Sequence, residues 1–467
     1  MTSAWIKSRI LKFQKLLMRM KGTFLVLIGV VLLLPACSKK GDTPAPPTPS
    51  PVPGCTVLTG PATNGFVTGT SVTLTWNAVS GATTYDVFLG SGPNPTSAVA
   101  TGLTTSSYTA TISATPNATY YWFVQPKNAS GGATGCSSAQ ANFTYISIQP
   151  PAPFGYYVVG YFPSYRSLAD VPDIKFRMTN VVIYAFYQVN GSGGLSAPSS
   201  PVAALPAVRD KARANNAKVL LGINDGLDGT TNFRNMAATA AGRNNFIRQV
   251  MGVVRSQDLD GVDLDWEFPS TSNGSDITFT ALVKELSDSL HRDGRYYLSS
   301  AITAGKYAGG FRDAIRNEIF PYVDFFNVMA YDDFSTNPSE LYRHHSDYTL
   351  ATVCLNYWLN TRGMPASKCV LGIPSYGRPS GMTQTGTVLS YRNILAQSGN
   401  PLYDSAIVTS GSFINYKVYY NGTYTTKRKA KLAKDIAAGV MFWEKWQDAI
   451  DGNSLLKAAC DTVGRAY

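Results

Sequence analysis

From Tyr157 onward the chain repeats one rhythm: a short apolar run, then a longer stretch with helical spacing. The runs are YVVGYF, NVVIYAFY, KVLLGI, GVDLDWEF, YYLSSAIT, DFFNVMAY, CVLGIPSYG and AGVMFWE. Each is β-like and apolar on both faces, as parallel strands must be when helices cover them. Eight strand–helix units over residues 155–467 predict an α/β domain of the (β/α)8 TIM-barrel type. A doubly wound sheet is the competing arrangement. It would place a glycine-rich phosphate turn after the first strand, and GYFPSY supplies none.

The fourth run lies within DLDGVDLDWEFP, Asp258 to Pro269. Side chains on a strand alternate, so Asp263, Asp265 and Glu267 share one face while Val262, Leu264, Trp266 and Phe268 share the other. In a chain with only 15% charged residues, three carboxylates at alternate positions of an apolar strand require an explanation. The barrel supplies one: the column points inward, with Glu267 at the C-terminal rim where barrel active sites form. Stacked carboxylates repel and burial penalises their ionisation, so a proton is shared and a Glu can serve as general acid near neutral pH. A metal cluster is the alternative. However, His291, His344 and His345 all lie outside this strand, and no second strand end is rich in carboxylates. No metal and no cofactor are therefore expected.

The first part of the chain has a different character. Residues 1–36 carry Lys7, Arg9, Lys12, Lys15, Arg19 and Lys21, no acid, and an apolar run from Thr23 to Leu34, the pattern of an export signal. Met18 or Met20 would give a start of more usual length. Pro35-Ala36-Cys37 resembles the lipobox of bacterial lipoproteins, with Pro35 departing from the usual residue there. The resemblance implies lipidation of Cys37, a membrane anchor and a place at the bacterial cell envelope. Residues 37–54 are a Pro-rich linker. Residues 55–147 contain short alternating runs such as SVTLTWNAV and TYYWFVQPKNA, separated by turn residues, as in an all-β immunoglobulin-like sandwich. Trp76, Tyr85 and Tyr121 fall where a fibronectin type III domain carries its core aromatics, so the segment resembles that fold. Such a module is usually a spacer or docking unit. Cys55 and Cys136 bracket it and could pair in an oxidising compartment.

The net charge of +11 does not signal nucleic acid, because removing the six N-terminal basic residues leaves +5. Lys427, Arg428, Lys429, Lys431 and Lys434 cluster without interleaved base-stacking aromatics and are expected on a solvated helix face.

The residues of the barrel segment resemble those of the family-18 glycoside hydrolases, the chitinase family. Asp260-Gly261-Val262-Asp263-Leu264-Asp265-Trp266-Glu267 matches the family's DGxDxDWE signature. Met329-Ala330-Tyr331-Asp332 matches its MxYD, Gly372-Ile373-Pro374-Ser375-Tyr376-Gly377-Arg378 its GxPxYGR, and Gly439-Val440-Met441-Phe442-Trp443-Glu444 its eighth strand. Gly160-Tyr161-Phe162 and Tyr184-Ala185-Phe186 fit the first two strands. The resemblance implies a retaining, substrate-assisted mechanism. Glu267 would be the acid, Asp265 would stabilise the acetamido group, and Asp263 would share a proton with Asp265. Tyr331 would position the acetamido oxygen and Trp443 would floor the sugar. Tyr161, Phe186, Met329, Asp332, Tyr376 and Arg378 would line the pocket. The implied partner is chitin or another N-acetylglucosamine-containing glycan, bound by a monomer.

The sequence departs from the family in two places. The third strand has Gly222-Ile223-Asn224-Asp225 where the family has SxGG, so the Ser hydroxyl that bonds the inner Asp is missing and Asn224 is a possible substitute. The insertion between strands seven and eight, at about residues 380–430, is reduced. Three readings follow: a chitinase, an endo-β-N-acetylglucosaminidase acting on N-glycans, or a sugar-binding protein without turnover. Of the three barrel cysteines, Cys354 with Cys369 is the pairing to consider.

Overall fold

The structure is a computed structural model that describes residues 49–115, 117–147, 151–226, 230–382, 384–397 and 399–467. Cys37, the export signal and most of the Pro-rich linker lie outside the described residues.

Between Leu58 and Tyr145 the chain forms two sheets. Strands Leu58–Gly60, Ser71–Trp76 and Ser107–Thr111 make one. Gly65–Val67, Ala141–Tyr145, Thr119–Asn128, Thr84–Gly90 and Ala98–Leu103 make the other, in that order. Alternate residues turn inward: Val72, Leu74 and Trp76 from the first sheet meet Val87, Trp122, Val124 and Phe143 from the second. Tyr85 packs at 5.6 Å on Trp76, as the alternation predicts. Tyr121 does not join this core. Strand pleating directs its neighbours Tyr120 and Trp122 inward and leaves Tyr121 half-buried on the opposite face. Cys55 and Cys136 form a disulfide across a sequence separation of 81.

Beyond Phe154 eight parallel strands close into a ring: β1 (Tyr157–Pro163), β2 (Val181–Val189), β3 (Lys218–Asn224), β4 (Gly261–Leu264), β5 (Tyr297–Thr303), β6 (Phe325–Met329), β7 (Cys369–Pro374) and β8 (Gly439–Trp443). Each pairs with its sequence neighbours, and β1 pairs with both β2 and β8, which closes the barrel. Period-two alternation sorts the side chains. Tyr157, Val159 and Tyr161 of β1 face the interior with Ile183, Leu220, Phe325, Val370 and Met441. Val158, Phe162, Leu221, Val262, Leu264 and Leu371 face the surrounding helices. Those helices present matching apolar stripes. Ala240–Ser256, capped by the Thr239 hydroxyl, buries Phe246, Val250 and Val254. Ser275–Leu290 buries Phe279, Leu282, Val283 and Leu286. Spacings of three and four residues put each set on one face.

Two expectations change here. Cys354, Cys369 and Cys460 are all free and buried, so Cys354 and Cys369 form no disulfide. Lys429 is not on a solvated face: the helix Thr423–Ile436 turns it inward, where Nζ donates to the Ser346 carbonyl at 2.6 Å and the Ser346 hydroxyl at 2.8 Å. Lys427, Arg428, Lys431 and Lys434 remain exposed. Among the described residues the material between β7 and β8 includes a short helix, Tyr391–Gln397, a hairpin, Ser405–Ser410 with Phe413–Tyr419, and the short pairing of Tyr376–Gly377 with Leu389–Ser390.

Candidate active site

The barrel interior is apolar at its lower end and polar at its upper end, and β4 marks the change. Trp266 points outward, stacked at 5.1 Å on Phe233 and edge-on at 5.6 Å to Phe279. That anchor fixes the register of the strand end, so Asp263 and Asp265 face inward. Both are buried. Glu267 stands above them at the rim, its side chain open to the cleft.

Asp263 is held by three donors from three other strands. The Tyr161 hydroxyl of β1 donates to Oδ2 at 2.7 Å, the Ser299 hydroxyl of β5 to Oδ1 at 2.6 Å, and the Asn327 amide of β6 to Oδ1 at 3.2 Å. Asn224 takes no part; its side-chain oxygen accepts from the backbone of Gly226. Gly222, which pairs with Asp263 across the sheet, leaves no room for a side chain. A Cβ there would lie 2.9 Å from the Tyr184 carbonyl and 3.0 Å from the Phe186 ring. Asn327 and Ser299 were legible only as lone polar residues on the inward register of apolar strands.

Electrostatics separate the three carboxyls. Burial pushes Asp263 up to about 6, against the pull of its three hydrogen bonds. Burial raises Asp265 further, reinforced by the charges of Glu267 and Asp263, and its Oδ1 has no hydrogen-bond partner among the described residues. Burial also raises Glu267, the hydrogen bond with Asp265 lowers it, and the charge of Asp332 raises it. Although the Glu267 side chain is open to solvent by area, its carboxyl is crowded by protein on several sides, which raises its affinity for a proton. Asp265 therefore interacts most directly with Glu267 above, while Asp263 below accepts from three neutral donors.

The remaining residues converge around this column. Trp443, at the end of β8, stacks on Phe186 (5.7 Å, 16°) and meets Tyr161 edge-on at 5.3 Å. Tyr376 donates to Asp332 Oδ1 at 2.6 Å, and Arg378 pairs with the same oxygen at 2.9 Å while lying 3.8 Å over the Phe334 ring. Burial opposes ionisation of Asp332, but His345, Arg378 and Tyr376 together bring it down to about 2. Gly372 on β7 makes space for Tyr331, since a Cβ there would come within 2.9 Å of that ring. A cavity of about 170 Å³ is lined by Tyr161, Asp265, Glu267, Met329, Tyr331, Asp332, Tyr376 and Trp443. A second, of about 360 Å³, shares Glu267, Met329, Tyr331 and Asp332 and extends along Phe268, Lys306, Tyr307 and Phe311. The expected pocket residues are thus brought together, and the aromatic wall of the second cavity is an addition.

The sequence profile of glycosyl hydrolases family 18 matches residues 157–448. The chain belongs to this family. Among curated proteins it is similar to mouse chitotriosidase-1, 32% identical over 190 residues that cover 36% of this chain and 40% of the relative. It is also similar to human chitinase-3-like protein 2, 25% identical over 56% of this chain and 71% of that protein. The chain thus spans less than half the length of the first of these family-18 relatives. Among solved structures, the fold resembles the family-18 chitinase ChiB from the chitin utilization locus of Flavobacterium johnsoniae (TM-score 0.55, 23% identity, 66% of this chain and 94% of that one). It also resembles human YKL-39, described as a pseudo-chitinase with retained chitooligosaccharide binding (TM-score 0.56, 20% identity, 66% and 100%). These family-18 structures share the barrel.

Proposed function

We propose that this protein is a chitinase that hydrolyses β-1,4 bonds of N-acetylglucosamine polymers with retention, through an oxazolinium intermediate. The observation that carries the reading is the meeting of two cavities at Glu267, one on each side of a bond placed at its carboxyl. The smaller cavity holds the sugar that is attacked, over Trp443. The larger holds the leaving sugar.

The Glu267 carboxyl gives its proton to the glycosidic oxygen as the bond from the anomeric carbon breaks. The sugar's own acetamido oxygen closes on that carbon, held in line by Tyr331. Asp265 accepts from the acetamido N–H and offsets the positive charge that develops on the ring. Water then attacks the anomeric carbon, breaking its bond to the acetamido oxygen and restoring the acetamide, and the Glu267 carboxylate takes the water's proton. Asp263 keeps Asp265 supplied with negative potential from below.

Hydrolysis of chitin oligosaccharides beside an N-glycopeptide tests the reading, with Glu267→Gln as control. Cleavage of the oligosaccharides, reduced by at least about a thousandfold in the variant, is expected. Cleavage of the glycopeptide alone would reassign the substrate to N-glycans and keep the mechanism. Sugar binding without turnover would place the protein with the pseudo-chitinases. The envelope location and the lipid anchor at Cys37 are part of this proposal and rest on the sequence of residues 1–37. The immunoglobulin-like, fibronectin type III-like role of residues 55–147 is proposed as a spacer. The two-sheet arrangement and its disulfide support it.

A further inference from the structure

Asp332 adopts φ 62°, the left-handed region that side chains other than glycine avoid. Two contacts with one residue hold it there. The Asp332 backbone N–H points at His345 Nδ1 (3.4 Å), and the Asp333 N–H donates to the His345 carbonyl at 2.9 Å. The turn aims the Asp332 carboxylate at Tyr376 and Arg378, and His345 Nδ1 stands 3.5 Å from the same Oδ1. His345 is fully buried, and its Nε2 has no hydrogen-bond partner among the described residues.

The groups facing this imidazole come from every element around it. Asp332 follows β6, and Asp333 beside it is engaged by Lys306 and Arg343. Tyr376 (rings 5.1 Å apart) and Arg378 follow β7. His344 stacks on it at 5.8 Å. Lys429 reaches in from the helix Thr423–Ile436 to the adjacent Ser346.

We propose that His345 is a positioning residue: it holds the Asp332 turn so that the carboxylate sits between Arg378 and Tyr376, on the wall of the cavity that it shares with Glu267, and acts on Glu267 through its charge. This rests on the chitinolytic reading above. Because Nδ1 accepts from the Asp332 N–H, the neutral ring carries its proton on Nε2. Burial lowers His345 below the usual imidazole range, against the hydrogen bond and charge of Asp332 and with the help of Lys429 and Arg378, which favours the neutral ring at pH 7. Acidification turns Nδ1 from acceptor into a cationic donor facing Asp332 Oδ1.

The test compares pH profiles of kcat/KM on chitooligosaccharides for the full chain and its His345→Leu, His345→Asn and Asp332→Asn variants. Loss of the acceptor in His345→Leu should lower kcat/KM by roughly tenfold to a hundredfold and move the alkaline limb to lower pH. His345→Asn, whose oxygen can accept near the Nδ1 position, should recover most of it. Asp332→Asn should shift the same limb the same way, and the Leu/Asn double variant should shift it no further. A loss that is uniform with pH and adds to that of Asp332→Asn would overturn the proposal. A second arm needs no turnover: with only three His in the chain, nitrogen NMR of labelled protein resolves the ring. A neutral Nε2–H tautomer whose titration moves to lower pH in Asp332→Asn is expected. A tautomer protonated on Nδ1, or a titration indifferent to Asp332, would overturn it. If the wild type leaves chitooligosaccharides uncut, the chitinase reading falls and the NMR arm alone decides the link between His345 and Asp332.

Discussion

Asp263 carries a tension between folding and function. It is fully buried, and its carboxyl is raised from the ordinary 3.8 to about 6. A carboxyl raised in the folded state stabilises the fold below its unfolded value and loses that contribution as pH climbs through the folded one. Between about pH 4 and 6 the barrel therefore loses up to about 3 kcal/mol from this group. Asp263→Asn should raise the melting temperature at pH 7.5, leave it nearly unchanged at pH 4, and lower turnover at both. Calorimetry at the two pH values checks this. Ser299→Ala should do the reverse for stability at neutral pH. It removes a bond that favours the ionised form, costing about 1–3 kcal/mol, and pushes Asp263 above 6. At this scale the sequence was legible where chemistry sits at a fixed spacing on one strand, as in Asp263, Asp265 and Glu267. It was not legible where a partner comes from elsewhere. Ser299 lies 36 residues from Asp263 and Tyr161 lies 102 away, and nothing local says that they meet.

At the scale of elements, β3 shows how one strand can give up a role that another takes over. The hydroxyl missing at Gly222 is supplied by Ser299 of β5, and the space it would fill is occupied by Phe186 and the Tyr184 backbone. Gly222→Ser should therefore not improve the enzyme. Overpacking at this contact should destabilise it by about 1–3 kcal/mol and lower kcat/KM, as denaturant melts and kinetics would show. The eight strands could be read from their continuous apolar runs, because a parallel strand buried on both faces has little alternation to mislead. The sandwich strands were harder. Tyr120, Tyr121 and Trp122 are consecutive aromatics, and composition alone does not say which of them the pleat turns inward. Lys429 was misplaced for the complementary reason: it lies between the exposed Lys427 and Lys431, and only the position of Ser346 explains its burial.

For the whole molecule, sulfur chemistry separates the two folded parts. The bonded pair Cys55 and Cys136 closes the segment of two sheets, whereas Cys354, Cys369 and Cys460 are reduced and buried in the barrel. Burial pushes each of these three thiols up to about 12, so they are poor nucleophiles. Dithiothreitol should lower the stability of the first part by about 2–4 kcal/mol while leaving initial rates of sugar hydrolysis unchanged. Melting followed alongside activity would separate the two effects.

The three donors to Asp263 come from β5 and β6, which follow β4 in the sheet, and from β1, which faces it across the barrel. Ser299 sits beside Asp263 on the neighbouring strand, but Tyr161 reaches it only across the barrel interior, once the sheet has curled round. A partial barrel would thus hold the same acids without that donor. A complete set of donors to Asp263 is thus a report that the circle has formed, written into the acid column itself.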